Sequence, residues 1–347
     1  MPSNLKYWED RQLLLEQKRF NSTLELEKEI DRIVQREVRN IEDEMNRFLL
    51  QYAQENSLTY QQAEQLLTKI EFKEYKKKVT SLVEEYHKNP SPKTLEQLKI
   101  IQSRRKVTRM QSLKDYLNLR SCYLSDTECE IIERHLMNQY EDQYLENLYN
   151  LQDSSRAYAA FDMPSISNLK EVVNYPYSGE LFSTSVWTAN EQMVSSLIRT
   201  LQTGMVQGLG IDRMARSFEK LLRSQDGVTY NSYSIRRILR TESAFVQERA
   251  NTDSMKQYGT ERYVIITAKD ERTCKRCGAM HDKSFKVSDE QIGVNSPPFH
   301  PMCRCTKTHD ILTEEEKKEI DEFVSNRNMA YEEWKSKYGK GKPRKRK

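Results

Sequence analysis

Two short stretches of sequence decide the fold at the C-terminal end of this chain: Asp270-Glu271-Arg272-Thr273-Cys274-Lys275-Arg276-Cys277 and Pro297-Pro298-Phe299-His300-Pro301-Met302-Cys303-Arg304-Cys305. The first is a Cys-x-x-Cys knuckle, and the second is a compact His-x-x-Cys-x-Cys. A Cys-x-x-Cys turn lets two thiolates reach one ion, and a second short pair completes the four tetrahedral ligands that Zn²⁺ prefers. The spacing therefore predicts a structural zinc site.

Five candidate ligands compete for four positions in this predicted site. We favour Cys274, Cys277, His300 and one of Cys303 or Cys305. Side chains two positions apart in an extended segment point to the same side, so spacing cannot choose between the last two cysteines.

Other interpretations of the cluster are a set of reduced, unligated cysteines or a disulfide pair. His281 is a weaker further candidate for a ligand. A catalytic zinc would need an open coordination position and a nearby general base, and the sequence has no His-Glu-x-x-His or His-x-Glu pattern. We therefore expect a zinc ion that stabilises the fold, and no enzymatic activity.

The two stretches, with Phe285 in a predicted strand between them, resemble the Mu F-like family of phage head morphogenesis proteins, also called minor head or minor capsid proteins. The resemblance covers about residues 165 to 310 and includes Tyr177-Ser178-Gly179, Trp187, the turn from Gly204 to Gly210, and Arg240-Thr241-Glu242. One departure is that the family usually has a glycine in the turn after the knuckle, where this chain reads His281-Asp282-Lys283-Ser284.

The resemblance implies a structural protein of a tailed bacteriophage, present in few copies in the head interior or at the portal vertex of the virion. Its implied partners are the portal protein, a capsid or scaffold protein, and viral DNA during assembly, packaging or ejection. The host cytoplasm would be its location during assembly. Relatives can carry an extra toxin or transferase domain, for which we expect no room here.

Composition agrees with such a protein. The chain has 347 residues, of which 37% are hydrophobic and 31% are charged, and its mean hydropathy is -0.86. This polarity predicts long solvent-exposed helices rather than a compact α/β enzyme. Neither a signal region nor an apolar run of membrane-spanning length is present, so we expect neither secretion nor a transmembrane segment. Cys122 and Cys129 stand apart from the cluster and are interpreted as ordinary thiols.

The positive charge is concentrated at the C-terminal end. The net charge of the whole chain is only +4, but residues 337–347 are almost entirely Lys, Arg, Gly and Pro. Such a run cannot bury apolar surface, so we predict a disordered basic tail. It would bind DNA phosphates or, alternatively, have no dedicated partner. The candidate nucleic-acid contacts are Lys340, Lys342, Arg344, Lys345, Arg346 and Lys347.

The first part of the chain predicts long helices. An apolar seam recurs at alternating three- and four-residue steps through Val34, Val38, Ile41, Met45, Phe48 and Tyr52. Thr59 is a predicted N-cap for a second helix to about Tyr86, and the prolines in 87–92 predict a break. Further helices are predicted from Thr94 to about Leu119 and from about Asp126 to Leu151. The seam closes an antiparallel bundle in one interpretation, and in the other it docks an arm on a partner such as the portal.

The second part predicts shorter elements. Helices are expected to end at Gly204 and to run from about Ser232 to Tyr258, and strands are expected over 263–267 and 284–287. Arg240 and Glu242 are neighbours that do not face each other on a helix, so we expect a separate buried or interfacial bond from each, such as a bond to the knuckle, rather than catalysis.

These patterns together predict a mainly α protein with a helical arm or bundle over 1–152, a linker over 153–167 and a helical module over 168–310. The module would end in a small zinc-stapled β-hairpin over 263–310, followed by a helix over 311–336 and the tail over 337–347. The alternative functions are a zinc-containing nucleic-acid-binding protein and, less favoured, a metal-dependent hydrolase or nuclease. Such an enzyme would have to use Asp270, Glu271 and Asp282.

Overall fold

The computed structural model describes residues 4–85, 90–155, 158–223, 232–310 and 331–340. Helices account for most of these residues. They are α1 Asn4–Tyr52, α2 Tyr60–Ala63, α3 Lys69–Glu85, α4 Pro92–Ser103, α5 Arg109–Ser155, α6 Ile166–Val173, α7 Phe182–Val206, α8 Ile211–Leu222, α9 Ser232–Tyr258, α10 Lys275–Gly278 and α11 Tyr331–Tyr338. The strands are β1 Phe161–Asp162, β2 Arg262–Ile266, β3 Ser284–Lys286, β4 Thr306–His309 and β5 Gly339–Lys340. The predicted mainly α class with a small sheet near the C-terminus is confirmed.

The chain forms two compact units, each assembled from separate segments. The first compact unit comprises Met1–Leu26, Ile132–Phe182 and Arg237–Lys347, and the second comprises Glu27–Ile131 and Ser183–Arg236. The sequence analysis instead predicted domains that are successive blocks of sequence, with boundaries at 152, 167 and 310. These domain boundaries stay a prediction. No helix among the described residues is both long and apolar enough to cross a membrane.

The apolar seam of α1 is part of the protein core. Val34, Val38, Ile41 and Met45 each expose no more than 1% of their surface, and Phe48 exposes 4%. A seam that the chain itself covers cannot dock a partner in this state. The structure therefore agrees with the bundle, and the interpretation of this seam as a free docking surface is wrong.

The helix predicted from Thr59 to about Tyr86 begins at Thr59 but stops early. Thr59 and Gln62 form a reciprocal capping box at the start of α2. A second box follows, because the Glu71 amide donates to Thr68 Oγ1 at 3.3 Å and the Thr68 amide donates to Glu71 Oε2 at 2.7 Å. Each box starts its own helix, so the single predicted helix becomes α2 and α3.

The break predicted between Leu119 and Asp126 is also wrong, because α5 continues from Arg109 to Ser155. The hydroxyls in this stretch bond inside the helix instead of ending it. Ser125 Oγ donates to the carbonyl of Ser121 at 2.9 Å, and Thr127 Oγ1 donates to that of Tyr123 at 2.8 Å. The break lies earlier, between Ser103 and Arg109, where Thr108 Oγ1 accepts from the amide of Gln111 at 3.1 Å.

The sheet of the first compact unit has three antiparallel strands in the order β3-β2-β4. The predicted hairpin partners are confirmed as β2 and β3, with Val264 opposite Ser284. The third strand, β4, was missed by the sequence analysis because Thr306-Lys307-Thr308-His309 has no apolar alternation. It pairs along β2 from Ile266 opposite Thr306 to Tyr263 opposite His309.

The segment after α5 pairs with the end of the described chain. β1 and β5 are parallel, with Phe161 opposite Gly339 and Asp162 opposite Lys340. Phe161 is 1% exposed and stacks on Trp334 with ring centroids 4.6 Å apart. Residues 337–340, predicted as the start of the tail, therefore lie in α11 and β5. Most of the predicted C-terminal helix, over 311–330, and the remaining tail, over 341–347, lie outside the described residues.

Candidate metal centre

The knuckle is held by the first turn of α10. Cys274 is the N-cap of this short helix, and its Sγ accepts from the amide of Cys277 at 3.4 Å. The second stretch turns at His300, whose carbonyl accepts from the amide of Cys303 at 3.2 Å. Local backbone hydrogen bonds thus position two ligand candidates in each stretch.

The structure brings all five predicted residues together, in two groups that share Cys277. One group is Cys274, Cys277 and His300, and the other is Cys277, Cys303 and Cys305. Within each group the candidate ligand atoms all lie within 4.8 Å of one another. A complete set of four ligands therefore takes members of both groups.

The distances fit the edges of a tetrahedral zinc site. Zn–S bonds of about 2.3 Å and Zn–N bonds of about 2.0 Å place two sulfurs about 3.8 Å apart, and a sulfur and a nitrogen about 3.5 Å apart. Cys277 Sγ lies 3.8 Å from Cys303 Sγ, and Cys274 Sγ lies 3.5 Å from His300 Nε2. The contact between Cys277 Sγ and His300 Nε2, at 3.1 Å, is shorter than such an edge. The donor set suits zinc, while the ligand atom of Cys303 lies more than 4.8 Å from that of Cys274, of His300 or of both.

The cysteines are also part of the core. Cys277, Cys303 and Cys305 are 3%, 2% and 5% exposed, and they pack in one cluster with residues that include Ile265 and Phe299. Cys274 is exposed. The candidate centre is therefore part of the core of the sheet module, and one ligand candidate, Cys274, lies at the surface.

The surroundings favour thiolates at two of the sulfurs. The Cys305 thiol and nearby backbone amides lower the pKa of Cys303 to about 5, and the amide of Cys277 lowers the pKa of Cys274. Burial raises the pKa of Cys277 to about 12. The pKa of Cys305 is raised by its hydrogen bond to Cys303. Thiolates are the metal ligands, so the surroundings favour the ligating form at Cys274 and Cys303 and the thiol at Cys277 and Cys305.

An ion pair joins the two stretches. Arg304 donates to both carboxylate oxygens of Asp270, at 2.5 and 2.6 Å, and this pairing lowers the pKa of Asp270. Asp270 also accepts from the Arg272 amide at 3.1 Å and from Thr273 Oγ1 at 3.3 Å. The aspartate of the Asp-x-Arg-Thr-Cys motif thus fixes the loop before the knuckle against the Cys-Arg-Cys segment. The sequence analysis did not assign it this role.

The upstream motifs meet the same region. Thr241 Oγ1 accepts from the Met302 amide at 3.1 Å, whereas the sequence analysis expected bonds to this region from Arg240 and Glu242. Glu242 instead accepts from Ser178 Oγ at 3.2 Å, and burial raises its pKa to about 7. The hydroxyl of Tyr177 donates to the carbonyl of Pro298 at 2.6 Å. Arg240 lies 5.8 Å from the ring centroid of Phe20.

His281 lies in a different group, with Glu9 and Asp282. Its Nδ1 accepts from the Thr267 amide at 3.3 Å, and its Nε2 is 3.1 Å from Asp282 Oδ1. A neutral imidazole whose Nδ1 accepts carries its proton on Nε2, so Nε2 has no lone pair for a metal. Asp282 takes φ 60° in the turn where the related family usually has glycine, and aspartate tolerates this conformation better than most residues.

A buried charged group, that of Lys307, lies two residues after Cys305 in the sequence. Lys307 is fully buried; its Nζ donates to Thr252 Oγ1 and Ser296 Oγ, each at 2.7 Å, and contacts Glu290. Glu248 Oε2 is 3.9 Å away. The sequence analysis missed this group, because a lysine in a four-residue polar strand gives no signal of burial.

Of the predicted nucleic-acid contacts, Lys340 lies in β5 and is exposed. The other five, Lys342, Arg344, Lys345, Arg346 and Lys347, lie outside the described residues. Their predicted contact with DNA stays a prediction.

Comparison with known proteins tests the resemblance directly. The family model described as Phage Mu protein F like protein matches residues 196–308, which contain all five metal-ligand candidates. The match begins later than the predicted start near residue 165. No significant match was found among curated proteins or solved structures. Residues 196–308 therefore match the Mu F-like family of phage head morphogenesis proteins, and this match supports a virion-associated protein.

Proposed function

We propose that this chain is a structural minor head protein that associates with the portal in the head interior or at the portal vertex. The observation that carries the proposal is the convergence of the two Cys/His stretches inside the segment that matches the family. Roles in DNA packaging or ejection, contacts with a capsid or scaffold protein, and a cytoplasmic stage during assembly are parts of the same proposal.

The proposed cofactor is one structural zinc ion. Cys274, Cys277, His300 and one of Cys303 or Cys305 would hold it; we favour Cys303, because its sulfur lies 3.8 Å from that of Cys277 and its surroundings favour the thiolate. Cys305 would donate a hydrogen bond to the Cys303 thiolate. When bound, the ion would supply folding free energy, on the order of 10 kcal/mol in zinc-finger peptides.

A role in catalysis is not proposed. Of the three carboxylates near the centre in sequence, Asp270 pairs with Arg304 and Asp282 lies 3.1 Å from His281 Nε2, while Glu271 is exposed. A hydrolase would need such a carboxylate free to act as a base beside an open metal position. We therefore propose that the centre positions backbone and side chains without turning over a substrate.

The zinc proposal is tested by elemental analysis of the purified full chain, with Cys274→Ser and His300→Ala in parallel. We expect one zinc ion per wild-type chain and loss of the metal in both variants. Cys129→Ser is the matched control, since this half-buried cysteine lies outside the cluster and a serine hydroxyl can still donate to the carbonyl of Ser183. A folded wild-type chain without metal would contradict the proposal.

The head assignment needs a separate test. We expect the full chain, co-expressed with the portal protein of the same phage, to elute with it in size-exclusion chromatography and to crosslink to it in purified virions. Absence of the chain from virions would overturn the assignment, whatever its metal content.

A further inference from the structure

A cleft of about 750 Å³ lies within the first compact unit, apart from the metal-candidate cysteines. Its walls come from α5, β1, α6, the loop that follows α6, and α9. Five aromatic side chains line it, namely Tyr140, Tyr144, Tyr175, Tyr177 and Phe245. Four carboxylates line it as well, namely Asp162, Glu171, Asp253 and Glu290, together with one arginine, Arg249. Its chemistry is aromatic and acidic.

The aromatic rings form stacked platforms. Tyr175 and Tyr177 each stack on Phe245, with centroids 5.3 and 4.9 Å apart. Tyr140 and Tyr144 stack at 6.3 Å on another part of the wall. Tyr175 is 56% exposed, so its ring surface is available to a guest. Ring faces of this kind bind guanidinium and ammonium groups.

Two of the four carboxylates are already compensated. Asp253 accepts from Arg249 Nε at 3.2 Å and from the Tyr140 hydroxyl at 2.6 Å, and Glu290 contacts Lys307. Asp162 and Glu171 are exposed and form no ion pair with any residue that the structure describes. The cleft therefore has a negative charge that a cationic guest would balance.

The β1–β5 pair directs a basic segment of this chain toward the cleft. Asp162 is opposite Lys340, and the Met163 amide donates to the carbonyl of Lys340 at 2.9 Å. Because the strands are parallel, β5 runs in the same direction as β1, which continues into Met163 and Pro164, and both of these residues line the cleft. Residues 341–347 follow at once, and five of the seven are Lys or Arg. Seven extended residues reach about 23 Å.

We propose that the cleft is a binding site for a basic peptide and that its occupant is segment 341–347 of the same chain. An arginine of this segment stacks on the exposed ring of Tyr175, while other cations of the segment face Asp162 and Glu171. This inference does not depend on zinc or on the portal. Cations held in the cleft are not available to DNA phosphates, so cleft and DNA compete for the same segment.

The test is photocrosslinking in the full chain with benzoylphenylalanine in place of Tyr175. We expect irradiation to join position 175 to residues 341–347 of the same chain, as found by mass spectrometry of digested monomer. The matched control is the same replacement at Tyr233, which is 68% exposed and does not line the cleft. Crosslinks only to a second copy, or none to the segment, would overturn the proposal.

A charge variant tests the carboxylates. Asp162→Asn combined with Glu171→Gln should weaken the association roughly fivefold, the effect of two exposed ion pairs, so that the crosslink is lost at a lower salt concentration. Glu84→Gln combined with Glu96→Gln makes the same change in net charge at exposed sites in α3 and α4 and should leave the salt dependence unchanged. Equal effects of the two double variants would show general attraction rather than a site and would overturn the proposal.

Discussion

In the second compact unit the cluster between α3, α4 and α5 consists of aliphatic and aromatic side chains, whereas the corresponding cluster in the sheet module of the first unit contains three cysteines. The helical cluster includes Val79, Leu82, Leu98 and Ile101. Burial of such side chains stabilises a fold by about 25 cal/mol for each Å² of apolar surface. In the core of the sheet module, thiols occupy positions of the kind that isoleucine and leucine occupy in the helical cluster.

The difference shows that the two units are stabilised by different kinds of buried side chains. Long amphipathic helices bury apolar surface along their whole length, as the α1 seam does. A three-stranded sheet with strands of three to five residues buries much less, and small modules of this kind usually need a metal or disulfides. We infer that the cysteines in the core compensate for the small size of the sheet.

Both units bury charge, and the second encloses Glu128 and the pair of Arg120 and Glu37, whose charged atoms are 3.2 Å apart. The first unit encloses Lys307 with Glu248 and Glu290, and it also buries Asn251 and Thr306 beside Glu248. Such groups add geometric specificity but become costly when one partner is lost. Single changes in these buried polar residues should therefore be costly in both units.

Metal removal should give the largest difference between the units. Chelation of the full chain should remove backbone protection in β2 and β4, with a loss on the order of 10 kcal/mol in the free energy of unfolding of the module. Hydrogen exchange followed by mass spectrometry measures this segment by segment. We expect α3 and α4 to keep their protection, and equal loss in both units would contradict the contrast.

The next effect is expected for Lys307→Met. It should lower the free energy of unfolding by about 3 to 5 kcal/mol, because it leaves buried carboxylates without their cation. Urea denaturation of the full chain measures the change. Adding Glu290→Gln should restore part of the stability, since it removes one uncompensated charge. Lys286→Met, at an exposed position of β3, is the control and should change stability by no more than about 0.5 kcal/mol. A Lys307→Met variant as stable as wild type would show that the buried pair contributes nothing.

Ile41→Ala should cost about 2 to 5 kcal/mol, the usual effect of emptying a buried site. Ile41 is fully buried in the seam, while Leu50 of the same helix is 71% exposed. Leu50→Ala is therefore the matched control and should stay within about 0.5 kcal/mol. If the two substitutions have the same effect on the urea midpoint, the seam is not the core of the bundle.

The last expected effect is a pH dependence in the second unit. Glu128 is fully buried, accepts from Asn190 at 2.6 Å, and has its pKa raised by burial from 4.5 to about 8. Between these values the folded state binds more protons than the unfolded state, so the free energy of unfolding falls as pH rises. The slope from this group is at most about 1.4 kcal/mol per pH unit.

Glu128→Gln removes the titration and keeps an acceptor for Asn190. The stability of wild type relative to this variant should therefore fall from pH 5 to pH 8. Urea denaturation at each pH gives that difference. If the stability difference between wild type and Glu128→Gln stays constant from pH 5 to pH 8, Glu128 does not stay protonated in the folded protein.

Much of the architecture was predictable because it rests on local patterns. The seam of α1, the N-cap at Thr59 and the strands β2 and β3 follow from residue spacing and type. The missed features have specific causes. The capping box at Thr68 and Glu71 lies in a charged stretch, and the hydroxyl of Ser125 bonds within α5, where the sequence predicted a break between Leu119 and Asp126.

The sequence by itself determined the helical class, the Cys/His pattern and the family, because periodicity, ligand spacing and motif residues are properties of neighbours along the chain. Only the tertiary structure decided that the α1 seam is covered, that Asp270 pairs with Arg304, and that Lys307 is buried. It also decided that β5 returns to β1 beside an acidic, aromatic cleft. These are contacts between residues far apart in sequence, and the spacing of residues along a chain contains no information about which distant partner will satisfy a charge or cover a surface.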